Sequence, residues 1–200
     1  MDNMLQITNT CSAQCTHCPY GGSLFESQEV SFSEIEERII TINSDFILIS
    51  GGEPLESEYF LNTLMLLDQL KIPYRIATGG HVSIKSFMSY LLNSSYFLGF
   101  SIGTDTISNR NKNRDLYYLV WLHNLDYLIK SNIPFSLTIT IGEDLDLGFL
   151  FARIGKFLKI VDFIMINEKE ESNSITSLKR DLEIILKDHT NVRIKYGYKN

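Results

Sequence analysis

Short runs rich in Ile, Val, Phe and Tyr alternate along this chain with stretches whose apolar residues recur at helical spacing, and that alternation leaves few folds open. Strands are expected at Leu5–Thr8, Phe46–Ser50, Tyr74–Thr78, Phe97–Ile102, Phe135–Ile141 and Val161–Ile166, with Val192–Tyr196 a candidate seventh. Their apolar character is nearly continuous, as expected when both faces of a sheet are covered. Ser31 followed by Glu34 reads as a capping box opening a helix to about Asn43. One-sided stripes follow at Ile84, Phe87, Met88, Leu91 and Leu92; at Leu150, Ile154, Phe157 and Leu158; and at Ile175, Leu178, Leu182, Ile185 and Leu186. Leu116–Ile129 is expected to be helical and broadly apolar. Such stripes are core.

Repeated β-α units imply a parallel sheet. A complete (β/α)8 barrel takes about 250 residues; this chain has 200, enough for six units and one extra strand. The expected architecture is therefore α/β, an incomplete (β/α)6-type partial TIM barrel forming a single domain over residues 1–200. A doubly wound sheet is the competitor.

Hydrophobic residues make up 44% and charged residues 21%, which excludes disordered and fibrous classes. A net charge of −6 supplies no basic footprint, so no nucleic-acid partner is indicated. Met1-Asp2-Asn3-Met4 lacks a basic region leading into a long apolar run. Leu61–Leu67 and Leu116–Ile129 are broken by polar residues before they could span a bilayer. A cytoplasmic chain with no membrane partner is expected.

All three cysteines, Cys11, Cys15 and Cys18, lie within eight positions, and none follows. A disulfide framework would scatter an even number, so shared metal ligation is the better reading. The cysteines follow the first expected strand. Gly51-Gly52-Glu53-Pro54 follows the second, Thr78-Gly79-Gly80 the third, and Ser101–Asp105 ends the fourth. Ligands of parallel α/β folds sit at the carboxyl ends of strands, so these segments mark one site. A [4Fe–4S] cube normally takes four thiolates; three leave one iron open to a small chelating ligand. The competing arrangement is structural zinc with His17 as fourth ligand, although ligands this close in sequence leave little chain for tetrahedral wrapping.

Cys11-X3-Cys15-X2-Cys18, with the aromatic His17 before the last cysteine and Gly51-Gly52-Glu53-Pro54 after the next strand, resembles the radical S-adenosylmethionine (SAM) superfamily. The resemblance runs from about Leu5 to Ile141 and more loosely to Ile166, and it makes the chain a radical SAM core domain. It implies that Cys11, Cys15 and Cys18 bind three irons of a [4Fe–4S] cluster while the methionine part of SAM chelates the fourth. His17 would meet the adenine largely through its backbone. Gly51, Gly52, Glu53 and Pro54 would recognise the methionine amino group, the glycines permitting close backbone approach and the Glu53 carboxylate offering acceptors. Thr78 and Ser101 would contact SAM from the next two strands, with Arg110 or Arg114 either a further charge partner or a solvated surface residue. Two departures stand out: Gly103 where the family commonly has Asp, and Thr78-Gly79-Gly80 where Thr-Asn-Gly is frequent.

The implied reaction is reductive cleavage of SAM to a 5′-deoxyadenosyl radical that abstracts hydrogen from a peptide or small organic substrate, with flavodoxin or ferredoxin as reductant. No cysteine is left for an auxiliary cluster or for methyl transfer. An open barrel needs closing against water, and a peptide, protein or partner subunit is the expected closure. Activation of a glycyl-radical enzyme and a non-catalytic metal-binding module are the rival functions. Among other polar residues, His81 is expected at a solvent-exposed helix start, with a place beside the site as the alternative. His123 and His189 read as structural. Glu143, Asp144, Asp146, Asn167 and Glu168 are either substrate-facing or solvated.

Overall fold

The computed structural model of the protein describes residues 3–13, 15, 18, 29–104, 107, 114–141, 145–158, 163–168, 173–187 and 193–196. Among the described residues there are seven strands: β1 (Met4–Gln6), β2 (Ile47–Ser50), β3 (Tyr74–Thr78), β4 (Phe97–Gly103), β5 (Phe135–Ile141), β6 (Phe163–Glu168) and β7 (Arg193–Tyr196). Between them run α1 (Phe32–Thr41), α2 (Phe60–Leu70), the short α3 (Met88–Leu91), α4 (Arg114–Lys130), α5 (Leu147–Ile154) and α6 (Asn173–Lys187). Strands neighbour one another in chain order, β1 to β7, and every adjacent pair is parallel. A doubly wound sheet would reverse its order at a switch point; this one does not, and among the described residues β1 and β7 remain edges. The result is an open partial barrel of six β-α units and a seventh strand.

Local chemistry accounts for the elements. Ser31 caps α1, its hydroxyl accepting from the Glu34 N–H while the Glu34 carboxylate accepts from the Ser31 N–H, the expected capping box. Helix α2 ends on Lys71 in the left-handed conformation; this helix was absent from the stripes read in the sequence, because its apolar run is too dense to show one clean face. The Asp146 carboxylate accepts from the Phe149 N–H and caps α5, so its role is structural.

Register places apolar residues in rows across the sheet: Leu5, Ile49, Ile76 and Phe100 in one, and Ile102, Leu137, Ile164 and Ile194 in another. The helices cover one face with Ile35, Ile39, Leu64, Leu67, Trp121 and Leu125, all essentially buried. The expectation of two apolar faces is corrected by the alternation of buried and half-buried residues along β2 and β3. On the face turned away from the helices, Ser50, Arg75, Ala77, Ser101, Ser136, Thr138 and Thr140 make a polar, small-residue surface. There Ser101 Oγ lies 3.0 Å from Thr138 Oγ1, and the Arg75 guanidinium donates to Ser136 Oγ and the Leu98 carbonyl at 3.3 Å each. Among the described residues no helix is long and apolar enough to cross a membrane.

Helix α4 locks the loop after β3. Buried Asn124 donates to the Gly80 and Val82 carbonyls at 2.9 and 2.8 Å, and its side-chain oxygen accepts from the Ile84 N–H at 3.2 Å. Asn124→Leu would strand all three backbone groups. We expect a loss of at least about 2 kcal/mol in urea unfolding of the metal-free chain, since each unmet buried group costs about 1–3 kcal/mol.

Candidate active site

The carboxyl ends of β1 to β4 meet on one edge of the sheet, and the unusual segments of the sequence lie there together. After β1 the chain runs through Thr8–Thr10 into the cysteine loop. Cys11, Cys15 and Cys18 are half-buried thiols outside any disulfide, and the Cys18 N–H donates to the Cys15 carbonyl at 3.1 Å. No group of three or more His, Cys, Asp or Glu among the described residues is arranged to hold a single metal ion. Ligands of an iron–sulfur cube each take their own iron and need no such common point. Three soft thiolates from one loop are the donor set that such a cluster uses, and on that ground the residues fit it. His17 lies outside the described residues, as do Asp105, Arg110, Glu143, Asp144 and His189, and the side chains of Arg114, Asn167 and Glu168.

The turn after β2 is welded to the stem of this loop. Gly52 N–H donates to the Thr8 carbonyl at 2.9 Å and Glu53 N–H to the Thr10 carbonyl at 2.8 Å. A Cβ on Gly52 would fall 2.1 Å from the Thr10 oxygen, and one on Gly51, where φ is +142°, 2.5 Å from the Thr8 oxygen. The glycines are therefore required by the chain's own backbone, one residue before Cys11, whatever else approaches them. Pro54 is buried and opens a short 3-10 turn, Pro54–Glu56.

Glu53 faces inward. Its carboxylate has no solvent exposure; one oxygen accepts from Thr78 Oγ1 and the Gly79 N–H at 2.9 Å each, the other from the Leu55 N–H at 3.3 Å. Burial pushes its pKa up, against the opposing pull of His81 and of these donors. The side chain expected to meet a ligand's ammonium thus joins the β2 and β3 turns instead. Gly51, Glu53 and Pro54 are buried, and Gly52 is half-buried. Thr78 is likewise buried, donating to Glu53 and accepting from the Gly80 N–H at 3.0 Å. Ser101, 8% exposed, sits on the polar face beside Thr138.

His81 overturns the expectation of a solvent-exposed histidine. It is 7% exposed, with Nδ1 3.5 Å from Glu53 Oε2 and Nε2 3.7 Å from Glu56 Oε1, and it packs edge-on against Tyr117 at 5.1 Å between ring centroids. Burial alone would lower its pKa, but Cys11, Glu56 and Glu53 outweigh burial and raise it. Glu56 moves the other way: burial opposes its charge, while His81 and Ser12 hold it below the usual carboxylate range. His123 is exposed on α4. Sequence reading passed over Glu56, Tyr117 and Asn124. Only Asn124, a polar residue inside an apolar helix, carried a signal.

Among the described residues, Thr78 Oγ1 and the Gly79 and Leu55 N–H groups all donate to the Glu53 carboxylate. In Glu53→Gln the amide nitrogen must oppose either the Leu55 or the Gly79 N–H. A loss of roughly 1–3 kcal/mol is expected in denaturant unfolding of the metal-free chain, and an unchanged midpoint would show that the carboxylate does not join the two turns.

Among proteins of known structure, SuiB of Streptococcus suis superposes with a TM-score of 0.72 at 15% identity, covering 98% of this chain and 49% of SuiB. The complex of SuiB with the precursor peptide SuiA gives 0.72 at 16% identity, over 98% of this chain and 48% of that one. Native anSMEcpe with bound AdoMet and Cp18Cys peptide gives 0.65 at 16% identity, over 96% and 62%. At such identities the likeness shows a shared fold, and this chain spans about half the length of the SuiB structures. No curated protein sequence matches it. The model of the Radical SAM superfamily, in contrast, matches residues 5–147, which takes in the cysteine loop, the Gly51–Pro54 turn and the first five strands. The chain belongs to the radical SAM superfamily, enzymes that use a [4Fe–4S] cluster and S-adenosylmethionine.

Proposed function

We propose that residues 1–200 form a radical SAM core in which Cys11, Cys15 and Cys18 hold a [4Fe–4S] cluster, and that the substrate is a peptide. One observation carries the reading: three half-buried thiols lie on one loop at the carboxyl end of β1, hydrogen-bonded at its stem to the glycine turn after β2. With one iron left open, the methionine end of SAM would bind between the cysteine loop and the Gly51–Pro54 turn. His17 would lie at the adenine. Ser101, on the polar face beside Thr138, would hydrogen-bond a ribose or carboxylate oxygen of SAM. The cluster and SAM, once bound and reduced, supply a 5′-deoxyadenosyl radical; the chain binds, orients and excludes water. Flavodoxin or ferredoxin would be the electron donor, in a cytoplasmic setting.

Two considerations support a peptide. The structures of SuiB with precursor peptide SuiA and of anSMEcpe with Cp18Cys peptide share this fold. Among the described residues the sheet is also open between β1 and β7, and a reactive radical has to be screened from water.

Anaerobic reconstitution should load about four irons per chain. Cys11→Ala, Cys15→Ala and Cys18→Ala should each abolish stable loading, and the loaded chain should form 5′-deoxyadenosine under strong reduction. Zinc, or no metal, in anaerobically purified protein that refuses iron and sulfide would sink the cluster. A loaded chain that makes no 5′-deoxyadenosine would favour a non-catalytic module. For the peptide, deuterium placed in a candidate precursor should appear in 5′-deoxyadenosine. Efficient coupled turnover with a free small metabolite alone would exclude that substrate class.

A further inference from the structure

Ser12 follows Cys11 directly; the described residues of this loop lie in no helix or strand, yet all three polar groups of Ser12 are held by residues far along the chain. Its N–H donates to Glu56 Oε2 at 2.9 Å, its hydroxyl donates to Glu56 Oε1, and its carbonyl accepts from Tyr117 Oη at 3.0 Å. Glu56 reaches it from the turn after β2, Tyr117 from the first turns of α4. The two partners are braced in turn: His81 lies 3.7 Å from Glu56 Oε1, 3.5 Å from Glu53 Oε2 and edge-on to the Tyr117 ring.

We propose that Glu56 and Tyr117 are positioning residues for the cluster, clamping Ser12 so that the adjacent Cys11 thiolate is delivered in one fixed place. The inference rests on Cys11 being a cluster ligand, as proposed above, and adds to it the device that orders the loop. Holding a backbone residue still costs about 1–2 kcal/mol of entropy, and a loop with no ladder of its own must meet that cost through side-chain contacts. Glu56 meets two donors at once. Tyr117 fixes the remaining acceptor, and its rigid ring adds little entropy of its own. Neither residue touches the reacting atoms; each acts through Ser12. Loss of supporting partners of metal ligands typically weakens a site by roughly 10–100-fold.

The test uses the full chain, reconstituted anaerobically, with two readouts: the rate of iron loss to an excess chelator, and the EPR spectrum of the reduced cluster with and without SAM. Glu56→Ala should release iron roughly 10–100-fold faster and broaden the EPR signal into several overlapping species. Tyr117→Phe, which removes one hydrogen bond, should release it roughly 3–10-fold faster. Glu56→Gln should stay close to wild type. Its amide oxygen can still accept from the Ser12 N–H and its amide nitrogen can donate to the Ser12 hydroxyl, so the clamp survives without the charge.

Thermal unfolding of each metal-free variant separates clamping from misfolding. If Glu56→Ala does not fold, Tyr117→Phe and Ser12→Ala decide. Wild-type iron retention and wild-type spectra in Glu56→Ala and Tyr117→Phe would overturn the clamp and leave the cluster assignment standing. Glu56→Gln as defective as Glu56→Ala would also overturn it, since charge rather than hydrogen-bond geometry would then matter. A wild-type chain that assembles no cluster overturns both proposals.

Discussion

A carboxylate with no solvent exposure destabilises a fold unless donors surround it, and the site of this protein is organised around one such group. Glu53 draws Thr78 Oγ1 and the Gly79 N–H from the end of β3 and the Leu55 N–H from its own turn, with His81 alongside. These contacts close the gap between the second and third strand ends. Immediately before it, Gly52 and Glu53 dock by their backbones onto Thr8 and Thr10, which closes the gap between the first and second. The turn after β2, by its carboxylate on one side and its backbone on the other, therefore ties together three consecutive β-α connections. The position of Glu53 at the centre of the turn explains why that turn cannot also offer the carboxylate outward.

Helix α4 stands behind the same edge and completes the frame. Tyr117, Trp121 and Asn124 recur at intervals of four and three, so they share one face. Tyr117 reaches the cysteine loop, Trp121 Nε1 donates to the Gly103 carbonyl at 3.0 Å at the end of β4, and Asn124 holds Gly80, Val82 and Ile84. One helix face thus fixes loops that leave β1, β3 and β4. Its helical residues are broadly apolar, and the polar atoms that do this are few and each bonded to backbone, which is how a buried helix face can present donors without leaving them unmet.

Much of the frame was legible in sequence because it depends on period and punctuation. Parallel strands covered by helices read as apolar runs, and Ser31 with Glu34 announced α1. The Gly-Gly-Glu-Pro and cysteine segments stood out as breaks at strand ends, which is where the sheet places them. Reading failed where the meaning of a residue depends on a partner distant in the chain. Glu53 looked like an available carboxylate and is a buried one. His81 looked solvated and lies between two glutamates. Glu56 and Tyr117 had no local signature at all, since their partner Ser12 is 44 and 105 residues away. The polar face of the sheet was missed for a related reason: Ser, Thr and Ala at alternate positions interrupt an apolar run too gently to reveal which face they line.

By itself the sequence determined that strands and helices would alternate into a parallel sheet, and which thiols and which glycine turn would stand at its carboxyl edge. Both follow from short-range patterns, period and turn chemistry, that operate wherever the chain folds. Only the tertiary structure decided the consecutive strand order, the inward aim of Glu53 and the holding of Ser12 by Glu56 and Tyr117. These depend on which distant segments are brought within hydrogen-bonding distance. A hydrogen bond acts over about 3 Å, so its partners are chosen by packing rather than by separation along the chain.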